Sequence, residues 1–267
     1  MKNRPHFLMC KPDYFKIAYE INPWMNINVP ADIVRAKEQW EAIYNTILSL
    51  GVKVSLIEPV EGLPDLVFTA NAGLVHGKKV ILSHFKYPER QPEERYFEKW
   101  FSNHDYTCYK LPKGVHFEGE GDAVYYKDIL LLGHGFRTEL SSHTHIGDIT
   151  GKAYKSLRLI NPHYYHLDTC LLFIEALDLI IYYPGAFDYE GIEIIEGLPS
   201  RTLRIYEEDA GLFACNSVCS GTKLLLYKST ERLADKLNEL GLEIIPLDTS
   251  EFMKSGGSVR CMVLRLT

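Results

Sequence analysis

Four short segments of this chain concentrate groups able to do nucleophilic and acid–base chemistry. They are Leu63-Pro-Asp-Leu-Val-Phe-Thr-Ala-Asn71-Ala-Gly73, Phe117-Glu118-Gly-Glu-Gly-Asp122, Tyr165-His166-Leu-Asp168-Thr169 and Ser255-Gly-Gly-Ser-Val-Arg-Cys261. A thiol beside an imidazole is an activated nucleophile, and the ring holds the proton that a leaving amine needs. A carboxylate next to the imidazole fixes its tautomer. Further carboxylates grip a planar cation through paired, charge-assisted hydrogen bonds. Together the four segments describe an activated thiol facing a cationic substrate. Taken singly they are bland: Cys261 lies in the apolar run Val259 to Leu264 and reads as a buried strand cysteine. His166, beside Tyr164 and Tyr165, reads as a core histidine, and 117–122 as a solvated acidic turn.

The elements that must gather these segments recur along the chain. Short apolar runs appear as Val80-Ile-Leu-Ser83, Ile129-Leu-Leu-Leu132, Leu179-Ile-Ile-Tyr182 and Leu224-Leu-Leu-Tyr227, with starts 49, 50 and 45 residues apart. Each follows another apolar stretch and a polar turn, the pattern of a β-hairpin whose second strand is buried. Amphipathic helical stretches are expected at Asp32 to Leu50, at Pro92 to Phe101, and at Thr230 to Leu240, the last opening at Ser229. Strand-like runs follow at 53–57, 106–109 and 243–246. Hairpin, helix, strand at a period near 50 predicts a closed or stacked repeat array rather than a Rossmann sheet. Equivalent loops of such an array meet around one axis, so residues distant in sequence share one pocket.

Composition narrows the setting. A net charge of −6 without a basic stripe argues against a nucleic-acid binder. No apolar run approaches bilayer-crossing length, and the apolar stretch after the basic start is too short for a signal peptide. Six cysteines spread over 267 residues read as reduced thiols, which places the protein in the cytoplasm. Cys215-Asn-Ser-Val-Cys219 lacks a second cysteine pair or spaced histidines, so it is a poor zinc site. No linker-like stretch divides the chain, so residues 1–267 are expected to form one domain.

These four segments, in this order, resemble the amidinotransferase superfamily of guanidino-modifying enzymes. It includes arginine deiminases, dimethylargininases, amidinotransferases and arginine dihydrolases. The resemblance covers essentially the whole chain. It implies an α/β fold, a five-bladed propeller of ββαβ repeats (the pentein fold), with Phe7 to Cys10 and Met262 to Leu266 closing one blade. It also implies that Cys261 is the nucleophile, His166 the general acid/base and Glu118 the partner that orients it. One residue more than the Glu-Gly-Gly-Asp form leaves Glu118 and Glu120 as alternatives for that last role. Asp168 resembles a guanidinium ligand and Arg137 the arginine that binds the substrate carboxylate. Position 71 departs from deiminases and dimethylargininases, which carry an acidic residue there. Phe68-Thr-Ala-Asn71, with Ile21-Asn22-Pro-Trp-Met25, resembles the arginine dihydrolase branch, and makes Asn71 and Asn22 substrate-binding candidates.

The implied activity is hydrolysis of the guanidinium group of arginine or a derivative through a cysteine thioether, with no cofactor and no metal. The small-molecule substrate is the expected partner, without nucleic acid or membrane, and assembly into a homo-oligomer is left open. Rival readings are a deiminase or dimethylargininase, an amidinotransferase, a non-catalytic arginine-binding module and, last, a zinc site drawn from His134, His143, His145, His163 and His166.

Overall fold

The computed structural model describes residues 5–266. The charged start expected ahead of the first strand, residues 1–4, lies outside them. Strand β1 (His6–Cys10) is followed by helix α1 (Ile33–Ser49) and β2 (Lys53–Ile57). Three complete repeats come next. They are β3 (Gly73–His76), β4 (Lys79–Leu82), α2 (Glu94–Ser102) and β5 (Thr107–Tyr109); β6 (Ala123–Tyr126), β7 (Ile129–His134), α3 (Ser142–Thr150) and β8 (Tyr154–Arg158); and β9 (Leu171–Ile174), β10 (Leu179–Tyr182), α4 (Tyr189–Glu196) and β11 (Arg201–Arg204). After the short α5 (Glu207–Gly211), the fourth is β12 (Val218–Ser220), β13 (Lys223–Leu226), α6 (Glu231–Glu239) and β14 (Glu243–Pro246). The short α7 (Ser250–Met253) and β15 (Leu264–Arg265) end the chain.

Every sheet has three strands with one pattern: the first pairs antiparallel with the second, which pairs parallel with the third across its helix. The fifth sheet, in the order β15–β1–β2, obeys the same rule using both ends of the chain. This is the five-bladed α/β propeller. Its closure by the two chain ends joins Phe7 to Arg265 and Leu8 to Leu264.

Local sequence explains the elements. Asp32 caps α1 by accepting from the backbone N–H groups of Val34 and Arg35, worth about 1 kcal/mol. Ala36, Trp40, Ile43 and Ile47 form the buried stripe of that helix. Thr230, not Ser229, caps α6, through Leu233 N–H. The expected final strand is shorter than 262–266: a 3-10 turn, Arg260–Met262, occupies its start, so Cys261 sits in a turn rather than a strand. Helices α3 and α4 were not expected. Ser-His-Thr-His-Ile-Gly-Asp-Ile-Thr and Tyr-Glu-Gly-Ile-Glu-Ile-Ile-Glu each carry an internal glycine and weak helix formers. They are helical because the ββαβ geometry supplies a sheet to pack against. Among the described residues, no helix is long and apolar enough to cross a membrane.

Candidate active site

Each blade is entered through a tight polar turn that runs straight into its first strand. Asn71 precedes β3, Glu118 and Asp122 precede β6, His166 and Asp168 precede β9, Asn216 precedes β12, and Cys261 precedes β15. All are buried. The repeat therefore delivers one polar turn per blade to the same end of the propeller axis. Five segments separated by about 50 residues meet there.

The thiol is held by two contacts. Asn216 Nδ2 donates to Cys261 Sγ at 3.1 Å, and Sγ–H points to Asp168 Oδ2 at 3.6 Å. Asn216 Oδ1 accepts the backbone N–H of Cys261 at 3.3 Å and of Ser258 at 2.9 Å. Nδ2 also reaches the Asp168 carbonyl at 3.2 Å. One amide thus ties the Cys261 thiol, its loop and the Asp168 backbone. Burial, and next the nearby Asp168 charge, push the Cys261 thiol well above the ordinary thiol range. Burial likewise pushes Asp168 up to about 7, against the pull of Arg260.

His166 Nε2 lies 2.8 Å from Glu118 Oε2, which also accepts from Arg137 Nη1 at 3.0 Å. Burial alone would raise the Glu118 carboxyl, but Arg137 and His166 together hold it well below the usual range. A carboxylate only accepts, so Nε2 carries a proton and Nδ1 is the nitrogen left for exchange. Glu120 faces the other way, into an ion pair with Arg260 at 2.7 Å. Arg137 is stacked between the rings of Tyr87 and Tyr165, 4.6 Å from each centroid, and its Nη2 donates to the Ile21 carbonyl.

Cys261, His166, Asn71, Arg137 and Asn22 all line one small buried chamber of about 10 Å³, room for roughly one water. Glu118 and Asp168 stand one step behind it, against His166 and Cys261. Asp168 lines instead a rear cavity of about 730 Å³, together with Glu120 and Arg260. Asn22 lines the chamber with its amide committed to the Ser255 carbonyl and the Trp24 N–H. Of the histidines weighed for zinc, His143 bonds to Ser156 and Gly133, and His163 packs edge-on to Trp24. Only His166 lines the chamber.

Sequence reasoning missed Asn216, Asp65, Arg90 and Asp122 as site residues. Asn216 lay inside the Cys215–Cys219 segment weighed only for zinc. The signal was available, because 215–217 is the entry turn of the fourth hairpin and the repeat required a polar group there. Asp65 accepts from Tyr19 Oη on Oδ2 at 2.9 Å, while its buried Oδ1 has no partner. Buried acceptors left unpaired cost free energy unless a ligand satisfies them. Asp168 Oδ1 is in the same state. Asp65 lines the chamber, and its unpaired oxygen there suits a cation.

Gly121 shows how tightly the turns meet. A Cβ there would lie 2.4 Å from Asn71 Nδ2 and 3.2 Å from the His166 ring. Gly121→Ala should therefore destabilise the fold by about 1–3 kcal/mol through overpacking and lower turnover by displacing one of those side chains. Thermal unfolding alongside a rate assay checks this; native values in both would show the turns tolerate the methyl.

Comparison with known proteins agrees with this geometry. Residues 12–267 match the family described as N,N dimethylarginine dimethylhydrolase, eukaryotic. The chain is 43% identical over 272 residues to the bifunctional arginine dihydrolase/ornithine cyclodeaminase AgrE of Nostoc sp., covering 100% of this chain and 38% of that protein. It thus spans less than two fifths of that relative's length. It is 37% identical over 261 residues to the N(G),N(G)-dimethylarginine dimethylaminohydrolase of Mycobacterium tuberculosis, covering 97% and 85%. Among solved structures, the N-terminal domain of ArgZ, a cyanobacterial arginine dihydrolase crystallised with substrate, superposes with a TM-score of 0.95 at 41% identity and 98% coverage of both chains. The chain belongs to the N,N-dimethylarginine dimethylhydrolase family of guanidino-modifying enzymes.

Proposed function

We propose that this protein hydrolyses the guanidinium group of free arginine twice, giving ornithine, carbon dioxide and two ammonia. The observation that carries this reading is Asn71: a neutral amide lines the chamber beside His166 and Cys261 where a deiminase or dimethylargininase has a carboxylate. The similarity to AgrE and to the ArgZ domain supports it. The dimethylargininase reading is favoured by the family match itself, and differs in expecting an amine from a methylated substrate.

The chemistry follows from the groups present. In the free protein the buried thiol keeps its proton. A guanidinium entering the chamber supplies the positive charge that offsets the desolvation of the thiolate, so substrate itself promotes ionisation, and the thiol proton passes to His166 Nδ1. Sulfur adds to the guanidinium carbon, and His166 Nδ1 gives a proton to the departing nitrogen, so ammonia leaves. The carbon is then bound to Cys261 as an amidino thioether. His166, now neutral, takes a proton from water as it adds to that carbon, and the C–S bond breaks to return thiolate and citrulline. In the second cycle sulfur adds to the ureido carbon, ammonia leaves, and water cleaves the resulting thiocarbamate to a carbamate. Loss of carbon dioxide from that carbamate gives ornithine. Asp168 and Asn216 hold the sulfur throughout; Glu118 holds the ring.

Labelled arginine distinguishes the readings. The native protein should yield ornithine as the main product, and Asn71→Asp should shift it toward citrulline, because a carboxylate left without its cation partner disfavours a neutral ligand. Citrulline as the sole native product sinks the two-cycle reading. Faster turnover of dimethylarginine than of arginine replaces it with the dimethylargininase reading.

A further inference from the structure

We propose that the Ser255 hydroxyl is a further specificity-determining contact of the site, accepting a hydrogen bond from the α-ammonium of the substrate. This rests on the reading above of an arginine-type substrate. Among the described residues, two of the buried side-chain polar atoms without a hydrogen-bond partner belong to residues lining the chamber: Asp65 Oδ1 and Ser255 Oγ. Ser255 is 2% exposed. The other polar side chains of the chamber each have a protein partner. Arg90 forks onto Glu93 and donates through Nη1 to Asn71 Oδ1 at 2.9 Å, and Asn71 Nδ2 donates to the Glu118 carbonyl. Arg137 holds Glu118 and the Ile21 carbonyl; Asn22 holds the Ser255 carbonyl and the Trp24 N–H. A buried hydroxyl without a partner lowers stability. Nothing in the free protein offsets that at Ser255, so its partner comes with the ligand.

Position decides which substrate group the hydroxyl meets. Arg90 and Arg137 are the guanidinium groups that line the chamber, so the one anionic group of the substrate, its carboxylate, lies on their side. Ser255 is joined to that side through Tyr165. The Tyr165 hydroxyl donates to the Gly256 carbonyl at 2.8 Å and reaches the Ser255 carbonyl at 3.4 Å, and its ring lies 4.6 Å from the Arg137 guanidinium. Cys261 Sγ is tied instead to Asn216 and Asp168. Ser255 therefore belongs with the end of the chamber that takes the α-carbon. The α-ammonium is bonded to that carbon and carries three N–H donors and no acceptor. Once buried it needs acceptors for them. Asp65 Oδ1 is one, and the Ser255 oxygen is the other that no protein group uses.

Two consequences separate this role from a structural one. A contact to the head group does not sense the reacting end. Arginine, citrulline and dimethylarginine share the ammonium, so the hydroxyl holds each of them alike. Its removal raises KM and leaves kcat unchanged, the mark of binding energy common to ground and transition states. The second consequence concerns the free protein. Removing a hydroxyl that has no partner also removes its desolvation penalty, so the ligand-free protein becomes no less stable. A hydroxyl that served only the fold would give the opposite sign.

The test is Ser255→Ala, made in the Cys261→Ser protein for titrations and in the native protein for rates and melting. Arginine and citrulline should each bind roughly ten- to hundredfold more weakly, the range of a hydrogen bond to a charged group. The control ligand is 5-guanidinopentanoate, which is arginine without its amino group. Its affinity should differ by less than about twofold between the two proteins. The unfolding midpoint of ligand-free Ser255→Ala should match the native value or exceed it by about 2–4 °C. Unchanged arginine affinity, an equal loss for 5-guanidinopentanoate or a lowered midpoint overturns the proposal. The product of the native protein plays no part in these titrations, so the two-cycle reading is scored separately. If the native protein turns over dimethylarginine instead, that ligand carries the same ammonium and takes the place of arginine. Failure of the functional reading and failure of this inference are thus told apart.

Discussion

Cys261→Ser should lower turnover of arginine by roughly 10⁴-fold or more, the scale seen when a covalent nucleophile is removed, while arginine still binds within a few-fold of the native affinity. The asymmetry has a structural basis. A serine hydroxyl fits the space of the thiol and keeps the Asn216 and Asp168 contacts that hold Sγ at 3.1 and 3.6 Å. It does not keep the nucleophilicity. The thiol is already difficult to ionise in its buried setting, and a hydroxyl in the same place is harder still, even with a cation beside it. Ammonia release followed continuously, with arginine titrated calorimetrically, separates the two effects. Turnover near the native rate would overturn covalent catalysis at this position.

His166→Ala should slow both formation and hydrolysis of the covalent adduct, each by about 10²–10⁴-fold, the range of a lost general acid–base group. In the proposed mechanism one ring serves both half-reactions, because Glu118 holds Nε2 at 2.8 Å and leaves Nδ1 to give and then take the proton. Glu118 itself keeps Arg137 and the Lys86 N–H as partners after the ring is gone, so the site should lose its proton carrier without collapsing. Rapid quenching and mass measurement of the Cys261 peptide give the two rates separately. Native rates for both would reduce His166 to a packing element.

The sequence alone determined the repeat, because strand and helix signals are local. A two-residue alternation, a 3.6-residue stripe and a glycine turn are properties of ten or twenty consecutive residues, and the spacing of the buried strands is a property of the chain. From that spacing and the resemblance came the propeller and the candidates Cys261, His166, Glu118, Asp168, Asn71, Arg137 and Asn22, which the structure gathers in and immediately behind one chamber. What the sequence did not determine was partnership. Glu118 and Glu120 are two residues apart and chemically alike, yet the 3-10 turn at 119–121 sends one to His166 and the other to Arg260. Asn216 carries no local mark of its use; only closure of the ring brings its amide to Cys261, 45 residues later in the chain. The same holds for Arg90, which precedes the expected helix at 92–101 and turns out to donate to Asn71 Oδ1. Hydrogen bonds act over about 3 Å, so which of several polar groups are joined is decided by the packing of the five blades. Composition and spacing state only which groups are there to be joined.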